Sequence, residues 1–196
     1  MNSKLLLGVI SLFGCLSMAA APPPRWAVDL NQGKGAVEFS AIGTPAAIKI
    51  HGKGDAPKGK LSIGSGKITG SLTFSLASLD TGIKMRNEHM KNRYLEVSKF
   101  PLATLDFISI KLPADFSKNF SQSSIPFEGK LTLHGVSKMV KGAADVKKDG
   151  PQVNTEARFT ILVADFGIQI PSFAEVTMTN KVDVAVNWSA PITSVK

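Results

Sequence analysis

Apolar side chains recur at every second position in segment after segment of this chain, beginning near Trp26. Glycine, proline, asparagine and aspartate separate these segments, and the combination predicts antiparallel strands that bury one face. About eight strands emerge from the pattern, so the chain is predicted to be all-β. The alternating positions are Val37 and Phe39; Ile48 and Ile50; Ile68, Gly70, Leu72, Phe74 and Leu76; Leu105 and Phe107; Leu131 and Leu133; Val140, Gly142, Ala144 and Val146; Phe159, Ile161 and Val163; and Val182, Val184, Val186 and Trp188.

Strands of this kind form either a sandwich or a closed barrel, and their length favours the barrel. Segments of about ten residues or more are long for a sandwich but suit a tall barrel that holds one ligand. The long segments are Lys60 to Leu76, Asn154 to Ala164 and Glu175 to Trp188. Small residues on the inner face either leave room for a ligand or mark a bend or tight packing, and both interpretations stay open at Gly70, Gly142 and Ala144.

One stretch, from Asp80 to Leu95, departs from the alternation. Its apolar residues Ile83, Met90 and Tyr94 have helical spacing, and Asp80 or Thr81 is available as an N-cap. A single short helix is therefore predicted to interrupt the sheet.

The predicted helix carries three cationic or polar side chains on one side, because Arg86, His89 and Arg93 have the spacing i, i+3 and i+7. Two guanidinium groups and an imidazole are able to clamp a pyrophosphate or polarise a carbonyl. From periodicity alone, a solvated helix face is the competing interpretation.

The amino-terminal residues predict a signal peptide. Lys4 precedes the apolar run from Leu5 to Leu16, and small residues follow, which places cleavage after Ala19. A lipoprotein anchored through Cys15 is the weaker alternative, because the bulky Phe13 fits poorly before such a cysteine. The chain is thus expected to be exported to the periplasm, with a signal peptide at 1–19, a proline-rich leader at 20–25, one domain at 26–190 and a tail at 191–196.

The sequence offers little for catalysis, so an enzyme is not predicted. After cleavage no cysteine remains, and the three histidines, His51, His89 and His134, lie in separate elements without a nucleophile motif. A metal site at these histidines and an acid-base pair of His89 with Glu88 or Asp106 are minor alternatives. The formal net charge of +8 suits anionic partners, although the lysines are scattered.

Three motifs occur in one order along the chain. The first contains Thr81-Gly82, the run from Arg86 to Met90, and Tyr94-Leu95 before Phe100-Pro101. The second runs from Gly129 to Lys138, and the third is Asp165-Phe166-Gly167-Ile168. Together they resemble the signature of the YceI-like family, over nearly the whole mature chain. Asn87, Met90 and Val163 depart from it, standing where the family commonly has aspartate, leucine and arginine.

The resemblance implies an extended, eight-stranded, antiparallel, lipocalin-like barrel with one short helix. It also implies a periplasmic protein without catalytic residues, whose apolar cavity sequesters a long isoprenoid or isoprenoid-quinone lipid and needs no other cofactor. Expected headgroup contacts are Arg86, His89 and Arg93, and His134 carries over with either a headgroup or a bracing role. The expected cavity wall consists of Phe39, Ile50, Leu72, Phe74, Leu105, Phe107, Leu131, Leu133, Phe159, Ile161, Val184 and Val186.

Two hypotheses of different classes follow. The lipid carrier predicts a continuous apolar tunnel that opens near the helix; a homodimer and transient membrane contact are compatible with it, and nucleic acid is not an expected partner. The alternative is a structural or interaction module with a filled interior, whose basic surface docks an anionic partner.

Overall fold

The computed structural model describes residues 25–44, 48–64, 66–113, 116–173 and 176–195. The predicted signal peptide and Cys15 lie outside them. The strands are β1 (Arg25–Asp29), β2 (Lys34–Thr44), β3 (Lys49–Gly54), β4 (Lys58–Gly64), β5 (Lys67–Ser75), β6 (Leu102–Ile110), β7 (Phe120–Leu133), β8 (Val136–Asp149), β9 (Gln152–Leu162), β10 (Ser172–Phe173) and β11 (Val176–Val195). Helix α1 (Lys84–His89) continues into a π-helical turn (Met90–Tyr94), and 3-10 turns occupy Leu30–Gln32, Leu76–Ser78 and Val163–Phe166.

The strands form one antiparallel sheet that closes on itself. Strands β1 and β2 follow one another along the same partner, β11, so they act as one long strand with a short interruption. Strands β3 and β4 lie beside β2 and β1 in the same way. When β1 with β2, and β3 with β4, are each treated as one strand, strands that are adjacent in the sheet are also consecutive in the chain. Strand β11 then pairs with the first strand and closes the ring. This confirms the prediction of an eight-stranded antiparallel barrel.

Two details of the sequence prediction were wrong. The segment from Lys60 to Leu76 is a hairpin of β4 and β5, because Gly66 adopts a left-handed backbone with φ of +72° and reverses the chain. The predicted tail at 191–196 belongs to the barrel through Val195, which pairs with Arg25 of β1. The domain therefore extends beyond residue 190.

Alternating side chains fill the interior, as the pattern predicts. Leu72, Leu105 and Leu131 occupy paired positions on β5, β6 and β7, and all three are buried. Such cross-strand rows are what holds neighbouring strands in register. Small inward residues do not leave open space everywhere: a side chain on Gly142 would collide with the ring of Phe127.

The helical segment packs at one end of the barrel, called here the helix end; the opposite end is the far end. Met90, Tyr94, Leu95 and Val97 pack against the core. The helix begins after Ile83, so the predicted capping by Asp80 or Thr81 is wrong. No helix in the described part of the chain is long and apolar enough to cross a bilayer.

Candidate ligand-binding site

The barrel interior contains a cavity of about 40 Å³. Every residue that lines it is apolar or aromatic except Thr155. Five residues of the predicted wall line this cavity: Leu72, Leu105, Phe107, Phe159 and Val186.

The other predicted wall residues lie elsewhere on the inner faces. Leu131, Leu133 and Ile161 are buried in the core, and Phe39, Phe74 and Val184 are partly buried against it. Ile50 is half-buried in β3. These seven positions lie mainly nearer the helix end, whereas the cavity lies toward the far end, so they do not border it.

Sequence reasoning missed much of the actual cavity wall. Some of these residues also alternate in the sequence, notably Leu61 with Ile63, and Val153 with Thr155 and Ala157. That alternation was the available signal. The missed residues are Val28, Leu61, Ile63, Ile68, Ile110, Leu112, Phe116, Ala144, Val146, Val153, Thr155, Ala157 and Trp188.

Aromatic rings occupy the middle of the barrel. Phe127 packs edge-on against Phe107 and Phe159, with ring centroids 6.0 and 6.2 Å away. Ligand pockets for drug-sized molecules measure about 300–1,000 Å³, far more than the cavity here. The continuous tunnel predicted by the lipid hypothesis is therefore not present in the described part of the chain.

The hydroxyl of Thr155 is an exception in this apolar interior. Its Oγ1 is buried and has no hydrogen-bond partner among the described residues, and the indole nitrogen of Trp26 shares this condition. Buried polar groups are nearly always hydrogen-bonded, so an orphan hydroxyl on a cavity wall requires an explanation.

Arg86 does not extend freely toward a ligand. Its guanidinium donates to the hydroxyl oxygen and the carbonyl of Thr81, at 2.8 and 2.6 Å. The neighbouring Asn87 accepts from the backbone and hydroxyl of Thr81 and donates to Asp80. Asp80 in turn pairs with Lys53 of β3 through two backbone hydrogen bonds. Arg86 and Asn87 therefore fasten the helix to the barrel edge.

The two other headgroup candidates do not join Arg86. His89 and Arg93 are both exposed. The guanidinium of Arg93 lies 5.7 Å from the ring centre of Tyr94, in a cation-π contact. The π-helical turn after His89 changes the spacing that an uninterrupted helix would give. A headgroup role for His89 and Arg93 stays a prediction.

His134 joins three segments at the helix end. Its Nε2 lies 3.0 Å from a carboxylate oxygen of Glu96, and its Nδ1 lies 3.2 Å from the carbonyl oxygen of Phe166. The ring of Phe100 packs on it at 4.5 Å between centroids. The residue adopts a left-handed backbone, with φ of +52°, in the turn between β7 and β8. These contacts support the bracing role among the two that the resemblance left open.

The contacts of Glu96 predict a pH-dependent stability. Hydrogen bonds from Lys99 and His134 hold the pKa of this carboxyl below its ordinary value. A carboxyl with a lowered folded-state pKa stabilises the protein above its unfolded pKa, and this contribution is lost as the pH falls through the folded value. The urea unfolding free energy is expected to fall below about pH 5, and Glu96→Gln to flatten that acidic decline. Glu88→Gln, on the exposed face of α1, is the control; an equal flattening there would contradict the assignment.

The remaining catalytic and metal candidates are placed apart. His51 hydrogen-bonds Ser40 on the adjacent strand, and Asp106 faces Lys130 at 3.6 Å. No cluster of three metal-binding side chains occurs within the described ranges. Val163, at the position where the family commonly has arginine, is half-buried and packs against the core.

Solved structures share this architecture. A polyisoprenoid binding domain from Saccharophagus degradans, implicated in plant cell wall breakdown, superposes with a TM-score of 0.66 at 16% identity, covering 86% of this chain and 98% of that one. BcnA of Burkholderia cenocepacia gives 0.64 at 20% identity, over 83% and 99%. A YceI protein of Campylobacter jejuni gives 0.56 at 15%, over 74% and 84%. At these identities the likeness shows the fold.

No curated protein matches the chain significantly in sequence. The family model of the YceI-like domain, in contrast, matches residues 26–190, which is most of the chain. The motifs around α1, His134 and Phe166 lie within that match, at the helix end described above. The chain therefore belongs to the YceI-like family.

Proposed function

We propose that this protein is an exported, periplasmic carrier that buries a long isoprenoid or isoprenoid-quinone lipid inside the barrel and performs no chemistry on it. The observation that carries the proposal is the closed barrel with an apolar cavity wall. A structural relative is itself a polyisoprenoid binding domain, which supports the same ligand class.

Binding of a long chain requires the interior to rearrange, because the cavity holds only about 40 Å³. The rings of Phe107, Phe127 and Phe159 meet in edge-on contacts rather than interlocking stacks. Their rotation would open a path along the barrel axis. Each CH₂-sized group of the ligand then contributes about 0.8 kcal/mol when it leaves water, and this gain offsets the cost of moving the rings.

Ala144→Leu is expected to weaken isoprenoid binding strongly. Ala144 is buried on the cavity wall, and the added carbon atoms occupy space that the ligand needs. Overpacking costs about 1–3 kcal/mol of stability, so folding is checked by thermal unfolding. Native mass spectrometry of delipidated protein incubated with geranylgeraniol measures the bound fraction, and we expect a loss of about tenfold or more.

Ala143→Leu is the matched control, since Ala143 is the adjacent residue of β8 and points to the outside, where it pairs with Arg158. This variant is expected to bind as the parent does. Equal binding by both variants would show that the ligand does not enter the barrel.

The second candidate is an interaction module with a filled interior and a basic surface. The small size of the cavity, about 40 Å³, favours it over an open carrier. It predicts that no isoprenoid mass is retained by the parent protein at all, and that association with an anionic partner weakens with salt.

Transient membrane contact is part of the carrier proposal, because a long isoprenoid resides in a bilayer. Ile83 and Met85 are 52% and 68% exposed at the helix end, beside Lys84. Apolar side chains flanked by lysine suit the interface of an anionic membrane. A homodimer stays a prediction.

A further inference from the structure

Thr155 lies where a bound ligand would reach it. It is an inward-facing residue of β9, between Val153 and Ala157, and all three line the cavity. On the neighbouring strands it is paired with Val146 and Trp188, which line the cavity too. Apart from the indole of Trp188, its hydroxyl is the only polar side-chain group on the cavity wall among the described residues.

This hydroxyl has hydrogen-bonding capacity that the described residues leave unused. A buried hydroxyl without a partner is unfavourable, and a ligand atom that hydrogen-bonds to it removes that penalty. A hydroxyl both donates and accepts, so it suits a carbonyl oxygen as well as an alcohol.

Cationic side chains lie near Thr155 as well as apolar ones. Thr155 also borders an open groove that Lys34 and Lys147 line. Lys148, buried further along the same inner face of β8, donates its ammonium to the carbonyl of Gly150 in the turn. The charge of a ligand therefore does not decide its fit beside Thr155; what the hydroxyl distinguishes is a ligand oxygen from a hydrocarbon, which offers no hydrogen-bonding group.

We propose that Thr155 is a specificity-determining residue that hydrogen-bonds an oxygen of the ligand, so that the cavity favours an isoprenoid alcohol or quinone over the matching hydrocarbon. The proposal rests on the lipid-carrier function and names the chemical class of its ligand. It places the polar end of the ligand toward the far end, away from Arg86.

Two probes test the assignment: geranylgeraniol and the matching hydrocarbon with hydrogen in place of the hydroxyl. Trp188 borders the cavity, so quenching of tryptophan fluorescence reports binding. The parent protein is expected to bind the alcohol about fivefold to tenfold more tightly than the hydrocarbon.

Thr155→Val keeps the shape and removes the hydroxyl. It is expected to bring the alcohol-to-hydrocarbon affinity ratio close to one while leaving hydrocarbon affinity unchanged. Without ligand it is expected to melt about 2–4 °C higher, because the unpaired group is gone. Thr155→Ser keeps the hydroxyl, and we expect it to retain the preference for the alcohol.

The outcomes separate this proposal from the carrier function. Equal affinity of the parent for alcohol and hydrocarbon, or an unchanged ratio in Thr155→Val, overturns the role of Thr155 and leaves the carrier standing. Failure of both probes to bind overturns the role of Thr155 and the carrier function together. If Thr155→Val does not fold, the alcohol-to-hydrocarbon affinity ratios of Thr155→Ser and of the parent protein still test the role of Thr155.

Discussion

Gly35→Ala is expected to lower the free energy of unfolding by at least about 3 kcal/mol, one of the largest effects available in this chain. A Cβ at this position would lie 2.0 Å from the backbone oxygen of Asn187 and 2.8 Å from the Cα of Trp188. Both atoms belong to the backbone of β11, so relief requires the strands to separate where β2 meets β11. Thermal unfolding should show a midpoint about 6–12 °C lower.

Gly64→Ala is the matched control. This glycine also lies in a paired strand, opposite Arg25 of β1, but its added Cβ would meet no atom nearer than 3.5 Å. We expect a change within about 0.5 kcal/mol, or a slight gain from reduced freedom of the unfolded chain. Similar losses in both variants would mean that the close approach at Gly35 is not what limits stability.

His134→Ala is expected to destabilise the protein by about 3 kcal/mol. The side chain of His134 is only 12% exposed, and the substitution removes its contacts to Glu96, Phe166 and Phe100 together. Loss of these contacts frees the segment after the helix from the β7–β8 turn. Hydrogen exchange should therefore increase first around residues 96–100 and 163–167.

His51→Ala is the control for this prediction. His51 is exposed and shares a hydrogen bond with Ser40 across two strands. Its loss is expected to cost less than about 1 kcal/mol. If the two variants lost equal stability, His134 would not be the junction that the contacts indicate.

The fold was predictable from the sequence because each strand carries its own signal. Alternation determines which side chains face inward, and a one-residue slip would expose every one of them. The hairpin at Gly66 was missed, although the sequence marks it. The apolar positions change from odd numbers at Leu61 and Ile63 to even numbers at Ile68 and Leu72. The extension of β11 past Pro191 was missed because proline normally marks a strand limit or edge.

The site was less predictable, because alternation shows direction but not depth along the barrel. Leu72 and Leu131 have the same pattern, yet only Leu72 borders the cavity. Arg86 fits a headgroup role by residue type, but its guanidinium is hydrogen-bonded to the hydroxyl oxygen and the carbonyl of Thr81. The buried state of the Thr155 hydroxyl depends on three neighbouring strands, and no local pattern reveals it.

The pairing of Arg25 with Val195 has a consequence for how the chain folds. Each hairpin from β4 to β9 forms between segments that are close in sequence, so these strands are able to assemble early. The pairing of β1 with β11 joins the two ends of the described chain, so it forms only after β11 is available. Until then β9 and β2 present unpaired edges, which are prone to pair with other chains. The period of greatest aggregation risk should therefore end when β11 docks between β9 and β2.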